Sequence, residues 1–299
     1  MIVDDLSDAE LGRRLARAGL RLRTGPVVYV IHTTIPAVVA GIRLHYAWHP
    51  IEPDDVFGDF HVEVTRGFGL RRFVRRQAHF WFEGERSFEP LSFAQAFPML
   101  EWGLNWCVTS HCHQYLMVHA AVLAREGRAV VLPAPPGSGK STLCAALMLA
   151  GWRLLSDELA LIDPVSGTLA PLPRPVSLKN ASIDVIRCYS TAAVLGPLVR
   201  DTRKGTVAHL KPTAMSVAAA DTPAQPAWLV FPRFQQDAPA RIGELPRAEA
   251  FMRLVDNAFN YDVLGRSAFL AAAELVDACR AYDFSYSSLD DAISAFDSL

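Results

Sequence analysis

The stretch Val130-Val131-Leu132-Pro133-Ala134-Pro135-Pro136-Gly137-Ser138-Gly139-Lys140-Ser141-Thr142 constrains this chain more than any other. It is a short apolar run, then a glycine-rich turn, then Lys-Ser-Thr opening an apolar helix, the order that cradles the phosphates of a nucleotide. Backbone N–H groups of Ser138, Gly139 and Lys140 can point inward only where no bulky side chain intervenes. A helix beginning at Ser141 aims its positive dipole end at the same spot. Lys140 would neutralise the terminal phosphates and the Ser141 hydroxyl would hold a magnesium ion. Pro136, Gly137, Ser138, Gly139, Lys140, Ser141 and Thr142 are therefore the nucleotide-binding candidates. Ala134 stands where the pattern G-x-x-x-x-G-K-[ST] has its first glycine. That glycine serves the tight turn, whereas Gly137 and Gly139 sit nearest the phosphates, so the reading survives the change. A flexible turn before an ordinary helix start is the plainer alternative.

A chain of 299 residues, 51% of them hydrophobic, can bury one large core or two ordinary ones. Its 29 Lys and Arg nearly balance 31 Asp and Glu, which gives no global reason to expect nucleic acid or an anionic membrane as partner. Any basic surface must be local. The opening Met1-Ile2-Val3-Asp4-Asp5 has the wrong sign for a secretory or organellar leader, so a cytoplasmic protein is expected. The most apolar early segment, residues 26–42, is broken by His32, Thr33, Thr34 and Pro36 and is too short to span a bilayer. Five scattered cysteines form no disulfide framework.

Up to about Gln114 the pattern is mixed. Residues 11–20 suit a short amphipathic helix, 27–31 a strand and 36–46 a helix. Residues 60–64 alternate, as do 73–82, which predicts two strands joined through Gly67 and Gly69. Ser92 followed by Gln95 reads as a capping box before a helix over 99–112. From Leu116 the pattern becomes that of alternating strands and helices: strands over 116–123 and 129–132, the loop and its helix, strands over 153–156 and 159–162, and a polar, proline-containing tract over 200–226. A strand over 228–234, helices over 248–259 and 268–281, a strand over 282–287 and a last helix from Ser288 complete the chain. The expected organisation is an α+β accessory or recognition domain over 1–114 and an α/β phosphate-loop domain over 115–299.

Asp157 and Glu158 close the first strand after the loop's helix. One acid there can hold magnesium, directly or through water, and a second can orient or deprotonate an attacking group. Asp-Glu pairs also open ordinary surface turns, but the preceding Leu154-Leu155 favours the end of a strand.

At these residues the chain resembles the HPr kinase/phosphorylases, and within them the subgroup called HprK-related kinase A. The resemblance rests on Val118-His119-Ala120, on the loop, and on Gly151-Trp152-Arg153-Leu154-Leu155-Ser156-Asp157-Glu158, beside the family's G-H-R-L-V-A-D-D. It implies a phosphate-loop kinase core of the HPr kinase type that moves the γ-phosphoryl of ATP onto a serine-type hydroxyl. By that resemblance Lys140 and Ser141 bind phosphates and Mg2+, Asp157 assists the metal, Glu158 deprotonates the acceptor, and His119 lies beside the γ-phosphate. Ala134 and Glu158 depart from the family pattern. No copy appears of the later segment with which HPr kinases bind their protein partner.

Transfer also needs cations on the phosphoryl group. Arg174, Lys179, Arg200, Arg203, Lys204 and His209 are available, and Arg174 and Lys179 are preferred because they follow the nucleotide core most directly. Cys107, His111, Cys112 and His113 are close enough in sequence for zinc, yet Cys107 and His111 share a helical face with Leu100 and Leu104, so packing is the favoured reading. Arg71, Arg72, Arg75 and Arg76 form the densest positive run, a solvated strand face or a dock for an acidic peptide. The resulting reading is an ATP-dependent kinase of a peptide or small protein, free to form a homo-oligomer. A small-molecule hydroxyl kinase, a partner-binding ATPase switch and a nucleotide-propped binding module are the rivals. No guanine-reading N-K-x-D run is present.

Overall fold

The computed structural model describes residues 1–299 and builds three β-sheets flanked by helices, a mixed α/β architecture. The first part contains α1 (Asp8–Ala16), β1 (Leu20–Thr24), β2 (Val27–Thr33), α2 (Pro36–His45), β3 (Phe60–Arg66), β4 (Gln77–Phe82), β5 (Glu85–Arg86), β6 (Leu91–Ser92) and α3 (Ala96–His111). Its sheet runs β1-β2-β3-β4-β5, with β6 on β4; only β2 and β3 are parallel, and α2 is the crossover between them. Pro36 opens α2, where a missing N–H costs nothing. Phe60, Val62 and Val64 of β3 face inward while His61 and Glu63 face out, so a single register is specified. Tyr29, Phe80 and Leu100 join α1, α2 and α3 in one core.

The second part contains β7 (Leu116–Arg125), β8 (Arg128–Pro133), α4 (Lys140–Leu149), β9 (Arg153–Ser156), β10 (Leu159–Ile162), β11 (Leu169–Ala170), β12 (Val176–Lys179), α5 (Ala181–Tyr189), β13 (Val199–Thr202) and β14 (Gly205–Leu210). It continues through α6 (Ala214–Ala218), β15 (Gln225–Phe234), β16 (Arg241–Glu244), α7 (Arg247–Val255), α8 (Tyr261–Leu264), α9 (Arg266–Ala278), β17 (Arg280–Tyr286) and α10 (Leu289–Asp297). The large sheet runs β11-β10-β7-β8-β15-β17-β16, with β9 also on β7. β8, β15 and β17 are mutually parallel, and β7 is antiparallel to β8. One face packs on α4, α10 and the small sheet β12-β14-β13, the other on α7 and α9. Sheets covered on both faces read as continuous apolar runs, which is why β7 and β8 stand out in the sequence.

The core of the first part does not stop at residue 114: Met117, Leu159, Leu161 and Leu172 belong to it. Three local expectations need correction. The strand expected from Phe73 starts at Gln77, because Gly69–Arg72 forms a 3-10 turn and Arg75 adopts φ +46°. Ser92 makes no capping bond; a short 3-10 segment, Phe93–Gln95, leads into α3, with Pro98 tolerated in the first turn. The polar tract over 200–226, to which the sequence reading gave no element, holds most of the β13–β14 hairpin and α6.

Candidate functional site

The loop leaves the sheet where β8 ends at Pro133, and α4 begins at Lys140. Gly137 (φ +88°) and Gly139 (φ +89°) take conformations that side chains resist. At Gly139 a Cβ would lie 2.6 Å from the Tyr286 hydroxyl and 2.9 Å from Phe234 Cβ, so glycine is required twice over. These neighbours also latch the loop. Tyr286 Oη donates to Gly139 O at 3.0 Å, and the Phe234 N–H donates to Ser138 O at 2.8 Å. Replacing Tyr286 by Phe is expected to cost about 0.5–1.5 kcal/mol, the worth of one such bond, read from urea unfolding. α4 has no side-chain cap and no acid in its first turn, leaving its leading N–H groups and dipole for an anion.

Beside the loop, at the carboxyl ends of the parallel strands β8, β15 and β17, opens a cavity of about 900 Å³. Pro135, Ser138, Phe234, Arg241, Arg253 and Asn257 are among its walls. Ligands of open α/β sheets bind at such strand ends.

The acid pair occupies an interruption in the sheet. β9 and β10 lie end to end along the same side of β7, with Ser156 opposite Val122 and Leu159 opposite His119. Asp157 and Glu158 thus span Ala120 and Ala121 without breaking register, and the strand resumes beyond them rather than ending there. Asp157 is buried, and its Oδ2 accepts from the Ser177 N–H at 3.2 Å. The Ser141 hydroxyl lies near enough to this carboxyl to favour its charged form, while Oδ1 is buried without a partner. Burial first, and then the charge of Glu158, raise its pKa; Lys140 and the Ser141 bond work the other way.

Lys140 is itself buried, with Nζ donating to the Asp157 carbonyl oxygen at 3.1 Å. Glu158 Oε2 lies 3.1 Å from His119 Nε2. Burial alone would raise the Glu158 carboxyl. The His119 hydrogen bond and the charges of Lys140 and Lys179 outweigh it and hold the group well below the ordinary carboxylate range. His119 keeps partial exposure, its N–H donates to Asn257 O at 2.7 Å, and its ring lies 5.9 Å from that of Phe259.

Of the two cations preferred from sequence, Lys179 bears on Glu158 through its charge, whereas Arg174 borders a small cavity with Asp157 and Glu158 but is already paired. Arg174 Nη2 donates to Glu101 Oε2 and O, both at 2.7 Å, and Nη1 donates to Asn105 Oδ1 at 2.8 Å. This closed, buried ion pair commits the guanidinium to α3, which leaves it less free than Lys179 to follow a phosphoryl group. Lys204, in the β13–β14 turn, is a further cation whose charge bears on the acid pair. Desolvation first, and then the charge of Lys179, lower its pKa, while Glu158 and Asp157 pull the other way. Its Nζ stands 5.4 Å from the Trp102 ring. Nothing in the sequence distinguished it from Arg200 or Arg203, because its approach to the acids is made by a hairpin that local patterning did not show.

His111 stacks on Phe82 at 4.8 Å. Burial pushes the Cys107 thiol up to about 12 and the Cys112 thiol up to about 11, neutral groups packed in the core. No helix is long and apolar enough to cross a membrane.

A family model described as SynChlorMet cassette protein ScmC matches residues 98–245, just under half of the chain. That stretch contains His119, the loop, Asp157, Glu158, Lys179 and Lys204. No curated protein matches the chain. Among solved structures, the Hpr(Ser) kinase/phosphatase from Coxiella burnetii is similar at 11% identity over 61% of this chain and 95% of that one. Its TM-score of 0.27 is too low to bear on activity. The chain is thus similar, over its loop and acid pair, to the ScmC cassette proteins.

Proposed function

We propose that this chain is a kinase that moves the γ-phosphoryl group of ATP onto a serine-type hydroxyl of a peptide or small protein. In this reading residues 115–299 form a phosphate-loop core of the HPr kinase type and residues 1–114 serve recognition. One observation carries it: a helix start without a cap and its lysine lie beside two neighbouring carboxyl groups held differently, Asp157 by the Ser177 N–H and Glu158 by His119. Phosphoryl transfer needs that division, because the acceptor hydroxyl must lose a proton while the nucleotide's charge is neutralised.

The backbone from Pro136 to Thr142 wraps the phosphates, and Lys140 turns from the Asp157 carbonyl toward them. Asp157 and Ser141 offer a carboxylate oxygen without a partner and a hydroxyl, the hard oxygen donors that suit magnesium. Magnesium bound there supplies charge neutralisation on the phosphates. Glu158 accepts the acceptor's proton, oriented by His119. While Lys140 and Lys179 act on it, Glu158 is a weak base; phosphate oxygens that engage the same two lysines raise its basicity when substrate arrives. Lys179 and Lys204 stabilise charge on the group in flight.

The test compares magnesium–ATP affinity and single-turnover transfer for two variants. Asp157→Asn is expected to weaken magnesium-dependent nucleotide binding. Glu158→Gln should keep that binding while transfer falls by a factor of ~10² or more, the usual contribution of a general base. Equal loss of affinity in both would assign the pair jointly to the metal, and full transfer by Glu158→Gln would remove the base. Following labelled γ-phosphate into protein, metabolite or free phosphate separates the kinase from its rivals. His119→Ala should lower transfer more than stability, since the ring is only part-buried and bonds Glu158 at the site.

A further inference from the structure

The densest run of positive charge has no part in the transfer site. Between Glu63 and Glu83 the chain has no carboxylate, yet it carries Arg66, Arg71, Arg72, Arg75 and Arg76. None of the five pairs with an acid of this chain; its ion pairs are made by other arginines and by His119. They do not form a flat, solvated strand face, because the strand begins only at Gln77. Arg71, Arg75, Arg76, Gln77, Ser92 and Phe93 instead border an open trough of about 580 Å³. The trough is a built structure. Phe93 lies under the guanidinium of Arg76 at 4.8 Å and of Arg66 at 5.8 Å, and its N–H donates to Arg76 O at 3.0 Å. The Gly67 N–H donates to Gln77 O at 2.8 Å, and the Phe68 ring lies 5.4 Å from that of His79. Leu70, Phe73 and Val74 stand exposed among the arginines.

One hydrogen bond joins the segment beside the trough to the β13–β14 hairpin. Two residues past Phe93, Gln95 Nε2 donates to Asp201 O at 2.8 Å, at the hairpin whose turn holds Lys204. Arg200 and Arg203 are exposed on that hairpin, with Asp201 the only acid among them. Basic groups therefore stand both at the trough and on the hairpin bonded to it, whose Lys204 shares its electrostatic surroundings with Lys179 and Glu158.

We propose that this trough docks an acidic, apolar-studded segment of the acceptor polypeptide and so directs a neighbouring hydroxyl toward Glu158. The inference rests on the kinase reading for the word acceptor, but not for the docking. Carboxylates pair with the forked guanidiniums, and leucine-like side chains cover Leu70, Phe73 and Val74. A concave trough with interleaved apolar groups suits a peptide better than a duplex or a flat lipid surface, and the chain's net charge of −2 supplies no wider field for a polyanion.

The experiment measures fluorescence anisotropy of a short fluorescein-labelled peptide of Glu, Asp and Leu with one serine, at low and at high salt. Its probe counterpart has Lys for every acid. The expected result is salt-sensitive binding of the acidic peptide alone, weakened roughly tenfold or more by Arg71→Glu with Arg75→Glu, since exposed pairs of this kind each carry up to about 1 kcal/mol. Arg13→Glu with Arg17→Glu makes the same change of charge on and just beyond α1 and should leave binding unaltered, as should Lys140→Ala. Equal binding of the basic peptide, full binding by the trough variant, or stronger competition by a single-stranded oligonucleotide or phosphatidylserine vesicles would overturn the proposal. Docking without phosphoryl transfer to the serine overturns the acceptor assignment while the acidic-peptide site stands. Transfer that ignores the trough variant overturns the link between docking and transfer while the kinase reading stands.

Discussion

Lys140→Ala should lower nucleotide turnover by ~10³-fold or more, the order of effect of a cation that acts on the transferred phosphoryl group. The side chain has two duties. It is buried, and Nζ bonds the Asp157 carbonyl at 3.1 Å, so its loss also leaves two neighbouring carboxyls without their nearest cation. From sequence alone the substitution would be expected to spare the fold entirely. The structure instead predicts a measurable loss of stability, because the repulsion between Asp157 and Glu158 is no longer offset. Lys140→Met separates the two duties: it restores the buried stem but not the charge. Turnover should stay lost in both variants, while urea unfolding should show Met closer to the native protein than Ala. Retained turnover in either variant would sink the phosphate-loop reading.

Arg174→Ala is expected to destabilise the protein by about 3–5 kcal/mol, the range found when one partner of a buried ion pair is removed. Glu101 is buried as deeply as Arg174, and the Tyr46 hydroxyl donates to its second oxygen at 2.7 Å. Truncating the arginine leaves that carboxylate charged with only a tyrosine to meet it. The double variant Arg174→Met with Glu101→Met removes both charges and should recover much of the loss, since apolar replacements of buried pairs are often near neutral. A loss below about 1 kcal/mol for the single variant would mean that the pair is solvated and behaves like a surface bridge. Because Glu101 lies on α3 and Arg174 just before β12, the pair also ties the first part of the chain to the second.

Which features were legible in the sequence follows from the range of the interactions that make them. The loop, α4 and the strands β7, β8 and β15 were readable because their signals are local: apolar runs, glycines at set offsets, a lysine before Ser-Thr. His119 and Glu158 were singled out one by one through a family resemblance and not through periodicity, and the contact between them, across 39 residues, was not foreseen. The ion pair of Arg174 could not be read because its partner is 73 residues away in sequence, a separation over which no pattern informs. The hairpin that brings Lys204 to the acids was hidden in a polar tract, where β13 carries Arg200 and Asp201 on exposed positions and alternation is weak. Phe73 and Val74 imitated the start of a strand although both are exposed.

The two-residue break between β9 and β10 has a bearing on how such a chain can change over generations. Leu159 and Leu161 point into the core of the first part, while Ala160 and Ile162 point into the core beneath α7 and α9. Gain of one residue between Ser156 and Leu159 would exchange these faces, sending Ala160 where Leu161 was, and loss of one would also delete an acid. Elsewhere the chain can lengthen or shorten at its turns with little penalty. Here residue number is inherited as strictly as residue type, and a lineage could more readily swap an acid for its homologue, aspartate for glutamate, than alter the count between them and the strands on either side.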